Sequence, residues 1–121
     1  MTRVLLVEDD AWLAEVEAAG LRQAGFDVAI APHALAAIDD IDATTPDVII
    51  LDVLLVGSTA FALLNELQSH ADTREVPIIL CTNLADRLEA EKVAEYGVKR
   101  VVDKTTMKPD ELVTAVKAVT S

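Results

Sequence analysis

"DVIIL", residues 47–51, is a run of four apolar residues behind an aspartate, and Asp52 follows it. A strand buried on one face alternates apolar and polar side chains, whereas a strand covered on both faces is apolar throughout. The run therefore predicts a central strand of a parallel sheet with helices on each side. "RVLLV" (3–7) and "VPIILC" (76–81) read the same way, and "DVAIA" (27–31) and "VKRVV" (98–102) complete a set of five strands. The first, third and fourth are the most continuously apolar and are expected at the centre.

Between the strands, apolar residues recur at three or four positions, which is a helical period. Leu13, Val16, Gly20, Leu21 and Ala24 form one stripe, Leu35, Ile38 and Ile41 a second, and Phe61, Leu64 and Leu67 a third. Residues 84–96 favour a helix by propensity but carry only Leu84 and Leu88 on one side, which predicts a surface helix with a polar face. Pro109, Asp110 and Glu111 mark the start of a last helix, with Leu112, Val116 and Val119 on its buried face. Gly25 and Gly97 stand where helices should stop. Strict alternation of strand and helix predicts an α/β fold: a doubly wound five-stranded parallel sheet with helices on both faces, joined by right-handed crossovers. The 121 residues contain no repeat, linker or low-complexity segment, so 1–121 is expected to be a single domain.

Composition excludes several roles. No apolar stretch approaches the roughly 20 residues of a membrane-spanning helix, so no membrane insertion is expected. The N-terminus enters a strand almost at once, without the apolar region of a secretory signal, and a cytoplasmic protein is expected. The single cysteine, Cys81, cannot form an internal disulfide and reads as a small buried apolar group. A net charge of −11 repels phosphate backbones, so no direct nucleic acid binding is expected.

Ligands of open α/β sheets bind beyond the carboxyl ends of the strands. Asp9 and Asp10 follow the first strand, Asp52 the third, Thr82 the fourth and Lys104 the fifth, all at that edge. "VEDDA" also reads simply as a helix start, because Asp is a good N-cap. Two carboxylates about 4 Å apart repel by roughly 4 kcal/mol at an effective dielectric constant near 20, a cost that a cation removes. An oxygen-only donor set with room for water suits Mg²⁺. Lys104 and Thr82 bring an ammonium and a hydroxyl, which suit phosphoryl oxygens. His33 and His70 read as surface residues outside this edge.

"RVLLVEDD", "PDVIILD", "IILCT" and "VVDK" stand in this order, and with them the chain resembles, over its whole length, the receiver domain of two-component response regulators. The resemblance implies a flavodoxin-like sheet of strand order 2-1-3-4-5. It makes Asp52 the phosphoacceptor, attacking the phosphohistidine of a histidine kinase or histidine phosphotransfer protein. Asp9, Asp10, Asp52 and the backbone carbonyl of Leu54 become the Mg²⁺ ligands, and Thr82 and Lys104 bind the phosphoryl group. The product is a phosphorylation-controlled switch acting on a downstream effector, a phosphoacceptor with at most slow autodephosphorylation and otherwise no enzyme.

The chain departs from the family in three places. Val56-Gly57 and Thr59-Ala60 stand where Pro-Gly and Asp-Gly are usual, Val101 replaces an aromatic residue, and Thr105 replaces a proline. These departures keep a second reading open, a pseudo-receiver that binds proteins independently of phosphorylation. A third reading, a Mg²⁺-dependent phosphohydrolase with Asp52 as nucleophile, would want a second acid that "DVLLVG" does not offer. Trp12 lies two residues after Asp10, either near the metal site or packed with Val16 on the helix surface.

Overall fold

The computed structural model describes residues 1–53, 58–69, 74–82, 94–104, 108 and 110–120, with the backbone alone at 34, 35, 52, 53 and 58–63. In chain order the elements are β1 (Arg3–Val7), α1 (Ala11–Gln23), β2 (Asp27–Ala31), α2 (Ala34–Ala43), β3 (Val48–Val53), α3 (Ser58–Ser69), β4 (Ile78–Thr82), β5 (Val98–Asp103) and α4 (Glu111–Thr120). All strand pairs are parallel, and the order across the sheet is β2-β1-β3-β4-β5. The three most apolar strands thus lie inside.

The continuous apolar runs are explained by two core layers, one on each face of the sheet. Leu5, Val7, Ile49, Leu51, Ile78 and Leu80 share one layer with Ala37 and Ile41 of α2 and Leu64 and Leu67 of α3. Their neighbours Val4, Leu6, Val48, Ile50, Ile79 and Cys81 share the other with Ala14, Ala18 and Leu21 of α1 and Leu112, Ala115 and Val116 of α4. Each fully buried Leu or Ile side chain contributes roughly 1.5–3 kcal/mol of transfer free energy. Cys81 is fully buried, as expected of a small apolar group.

The buried stripe of α1 differs from the predicted one. Ala14, Glu17, Ala18 and Leu21 face inward, whereas Val16 is half exposed, Gly20 and Ala24 are exposed, and Leu13 is only partly covered. Side-chain size explains the rotation: Ala14 and Ala18 let the helix approach the sheet closely, a role that hydropathy alone does not rank. On α2, Ala37 and Ile41 are buried and Ile38 is partly buried. On α4, Leu112 and Val116 are buried with Ala115, and Val119 is partly buried.

Gly25 and Gly97 have φ of 99° and 85°, the left-handed conformation expected past a helix end. Residues 84–93 of the predicted surface helix lie outside the described residues; Ala94 is helical, and its carbonyl accepts from Gly97 N–H at 3.1 Å. The apolar run predicts a third strand ending at Leu51, but β3 continues through Val53, so Asp52 lies inside the strand with Cys81 as its Cα partner. Thr82 likewise closes β4, paired with Val53 and Asp103. Neighbours on both sides extend these ladders, and an acid does not interrupt backbone pairing. The β4–β5 register shifts once, between Ile78↔Val98 and Ile79↔Arg100, leaving Lys99 as the extra residue, and is regular from there to Thr82↔Asp103. Among the described residues no helix is long and apolar enough to cross a membrane.

Candidate functional site

The register places Val7 opposite Leu51, so Glu8 and Asp52 stand one residue further on, level with one another at the carboxyl edge of β1 and within β3. Glu8 N–H donates to the Ala31 carbonyl of β2 at 3.0 Å, which continues the ladder and keeps Glu8 in the strand's path. Its carboxylate is almost wholly buried. Oε1 accepts from Asp10 N–H at 2.9 Å, and Oε2 lies 3.6 Å from Lys104 Nζ, with side-chain exposures of 1% for Glu8 and 11% for Lys104. A carboxylate and an ammonium this dry are tolerable only because they are paired.

The pair also has an unusual span. β1 and β5 are separated by β3 and β4, three strand spacings or about 14 Å at the usual separation. Glu8 and Lys104 therefore reach toward each other across the carboxyl ends of β3 and β4, where Asp52 and Thr82 stand. Lys104 is set in place from its backbone, whose N–H donates to the Thr82 carbonyl at 3.0 Å, and Thr82 itself is fully buried. The structure thus brings Lys104, Thr82 and the backbone of Asp52 to one edge, as the sequence predicts. It adds Glu8, which the sequence reading did not single out.

Asp9 and Asp10 are both exposed. Asp10 is the N-cap of α1, in extended conformation, with Oδ1 accepting from Leu13 N–H at 3.1 Å and its carbonyl accepting from Ala14 N–H at 2.9 Å. The helix-start reading of this acid therefore holds. Asp9 makes no hydrogen bond or ion pair among the described residues. Among the described side chains no three acidic, histidine or cysteine groups converge on one point. Leu54, Val56, Gly57, His70 and Thr105 lie outside the described residues.

His33 is exposed, as read from the sequence, and caps α2 with Nδ1 accepting from Ala36 N–H at 3.2 Å. Its position needs correction: two residues past β2, it lies at the carboxyl edge, though on the outer strand, with β1 between it and β3. Trp12 and Val16, one turn apart on α1, are 74% and 50% exposed beside the same edge, so they share the helix surface rather than the core. Val101 is partly buried and packs against the layer that holds Leu80. A signal for Glu8 was present in the sequence: the alternation of Val4 and Leu6 on one face, carried one step past Val7, points the first acid of "VEDD" inward with them.

Known proteins match this arrangement. The response regulator receiver domain matches residues 4–117. The phosphate regulon transcriptional regulatory protein PhoB of Escherichia coli (strain K12) is 30% identical over 117 residues, which cover 97% of this chain and 51% of PhoB. The chain spans about half the length of the curated relatives it matches. A response regulator structure from Chloroflexus aurantiacus J-10-fl superposes with a TM-score of 0.82 at 33% identity, covering 98% of this chain and 97% of that one. The response regulator TrrA from Thermotoga maritima, solved in complex with Mg²⁺-BeF, has the same fold, with a TM-score of 0.80 at 23% identity over 98% of this chain and 99% of TrrA. Strand order, the acids and lysine at one sheet edge, and a match over nearly the whole length agree: the chain belongs to the response regulator receiver domains, signalling domains of phosphorylation-dependent two-component systems.

Proposed function

We propose that the chain is a switch that accepts a phosphoryl group on Asp52 from a histidine kinase or histidine phosphotransfer protein, with Mg²⁺ bound. The observation that carries this reading is the nearly dry Lys104 ammonium, anchored by backbone to Thr82 and stretched across the strand ends where Asp52 stands. A phosphoryl group in transfer spreads negative charge over its equatorial oxygens, and a pre-positioned ammonium and hydroxyl at a water-poor edge stabilise it. An Asp52 oxygen forms the new O–P bond as the donor's N–P bond breaks, and the donor imidazole leaves with the electron pair. The gain is chiefly positioning and electrostatics.

The donor set fits a hard cation. Asp9 is exposed, Asp10 has committed one oxygen to the helix and keeps Oδ2, and every candidate ligand is an oxygen. Asp9, Asp10, Asp52 and the Leu54 carbonyl would hold Mg²⁺, which when bound offsets charge on the transferring oxygens. Trp12 and Val16 offer an apolar contact on α1 beside the site for the protein that presents the phosphohistidine. With Val101 at the usual aromatic position, output to the downstream effector cannot depend on rotation of a ring there, and displacement of the 84–96 segment is the proposed route.

The test is intact-mass analysis after incubation with Mg²⁺ and a small acyl phosphate. One added phosphoryl group on the unmodified chain, absent in Asp52→Asn, is the expected result. No adduct on the unmodified chain overturns this reading in favour of the phosphorylation-independent interaction module.

A further inference from the structure

We propose that the outward face of α1 is a self-association surface, covered by a second copy of this chain in a weak antiparallel dimer. Trp12, Val16, Ala19 and Gln23 are all exposed and recur at helical spacing, opposite the buried Ala14, Glu17, Ala18 and Leu21. The outermost line of a surface helix normally carries charge, and this one carries none in a chain with a net charge of −11. Among the described residues the large exposed apolar side chains are Met1, Trp12 and Val16, so two of the three share this stripe. Gly20 stands beside it, and a Cβ there would meet nothing within 4 Å. Glycine inside a helix is unfavourable relative to alanine, and no close contact within the chain requires it at this position. It leaves room at the surface for a group from outside.

The charges that border the stripe select a second copy as its occupant. Glu15 and Arg22 flank it on one side, about 10.5 Å apart along the helix axis. Within the chain, Arg22 Nη1 reaches Glu15 Oε2 only at 3.9 Å, with side chains 49% and 70% exposed, while Arg22 Nη2 donates to the Val28 carbonyl at 3.0 Å. Two α1 helices related by a two-fold axis run antiparallel, with the same flank of each side by side. When the axis passes midway between Val16 and Ala19, Val16 faces the second copy's Ala19, and Trp12 lies over its Gln23 beside the open space at its Gly20. In that register Glu15 stands about 3 Å along the axis from the level of the second copy's Arg22. The guanidinium anchored at Val28 then meets a carboxylate from each chain, and symmetry makes the pairing twice.

A helix of 13 residues is about 20 Å long, so one stripe of it falls below the roughly 1,200–2,000 Å² of a standard interface, and the dimer is weak and reversible. Trp12 lies in the first turn of α1, beside the sheet edge where Asp52 stands. A phosphohistidine donor resting on Trp12 and Val16 and a second copy on the same stripe therefore exclude one another. Self-association at high concentration withholds the receiver from its donor, whereas the dimer itself does not depend on phosphorylation of Asp52.

Sedimentation equilibrium of the whole chain is expected to show reversible exchange between monomer and dimer, with a Kd between about 10 µM and 1 mM. Val16→Glu, at an exposed position that leaves the core untouched, should weaken association roughly tenfold or more. Glu15→Arg and Arg22→Glu each set like charges across the two-fold axis, and each alone should weaken it roughly fivefold or more. Mixed in equal amounts, these two variants restore opposite charges between chains while the pair within each chain stays broken. The mixed dimer is expected to be tighter than either homodimer. Net charge alone would instead favour the Glu15→Arg homodimer, the least negative of the three. No association up to about 1 mM, association that Val16→Glu leaves unchanged, or a mixed dimer no tighter than the Glu15→Arg homodimer would overturn the proposal. A chain that stays monomeric while Val16→Glu slows phosphoryl transfer would overturn it too, and would leave the stripe to the donor.

Discussion

The sheet carries a charge pair at each end, and the two pairs differ in almost everything but distance. At the amino end, Arg3 Nη1 and Asp27 Oδ2 of the neighbouring strand are 3.7 Å apart, with side chains 44% and 55% exposed. At the carboxyl end, Glu8 and Lys104 are 3.6 Å apart and nearly dry. The Coulomb attraction at about 4 Å is roughly 1 kcal/mol in bulk water and 4 kcal/mol at an effective dielectric constant near 20. The exposed pair keeps its hydration and contributes little. The buried pair gives up hydration on both sides, and such pairs are often no more stabilising than apolar residues of the same volume. A chain that needed only stability could have placed leucine and methionine there. Burial, not separation, distinguishes a decorative pair from one that holds charge for use.

The largest effect is expected from breaking the buried pair on one side. Glu8→Leu takes one carboxylate away from the poorly solvated Lys104 ammonium and should cost about 3–5 kcal/mol in urea unfolding. Adding Lys104→Met should recover most of that loss. If the double variant stays as unstable as Glu8→Leu, the carboxyl-edge pair is a stability device and the contrast with the amino end disappears.

A middle-sized effect belongs to Asp10, the N-cap of α1. Asp10→Ala removes the N-cap of α1 and should cost about 0.5–2 kcal/mol, whereas Asp10→Asn keeps a capping oxygen and should stay within about 0.5 kcal/mol in the same unfolding assay. Equal losses in the two would mean that charge, not capping, fixes the helix start.

The smallest effect belongs to the amino end. A double-mutant cycle on Arg3→Ala and Asp27→Asn should give a coupling of at most about 1 kcal/mol, falling toward zero in about 1 M salt. A large, salt-insensitive coupling would erase the difference between the two ends.

Most of the fold could be read from the sequence because burial on both faces removes polar residues from β1, β3 and β4, and the alternation of strand and helix then fixes the class. The phase of α1 could not, since Ala14 and Ala18 carry too little hydropathy to outweigh Val16, although their small size is what seats the helix. At the site, residue types and spacing picked out Asp52, Thr82 and Lys104. Glu8 was hidden because an acid after a strand looks like loop or cap, and its partner lies far along the chain and two strands beyond its neighbours. Asp10 shows the reverse case: one sequence position supports both a capping and a ligand reading, and its geometry displays the cap.

The single register shift in β5 bears on how this chain can vary in length. Lys99 is set aside at the amino end, and from Ile79↔Arg100 onward the ladder runs without interruption to Thr82↔Asp103, one residue short of Lys104. A one-residue gain or loss before Arg100 has a place to be absorbed in a bulge, far from the chemistry. The same change after Arg100 would displace Lys104 by about 3.3 Å and turn its side chain to the other face of the sheet. Inheritance can therefore be loose in the first half of β5 and must be strict in the second, where one deleted codon would turn Lys104 away from the edge that holds Thr82.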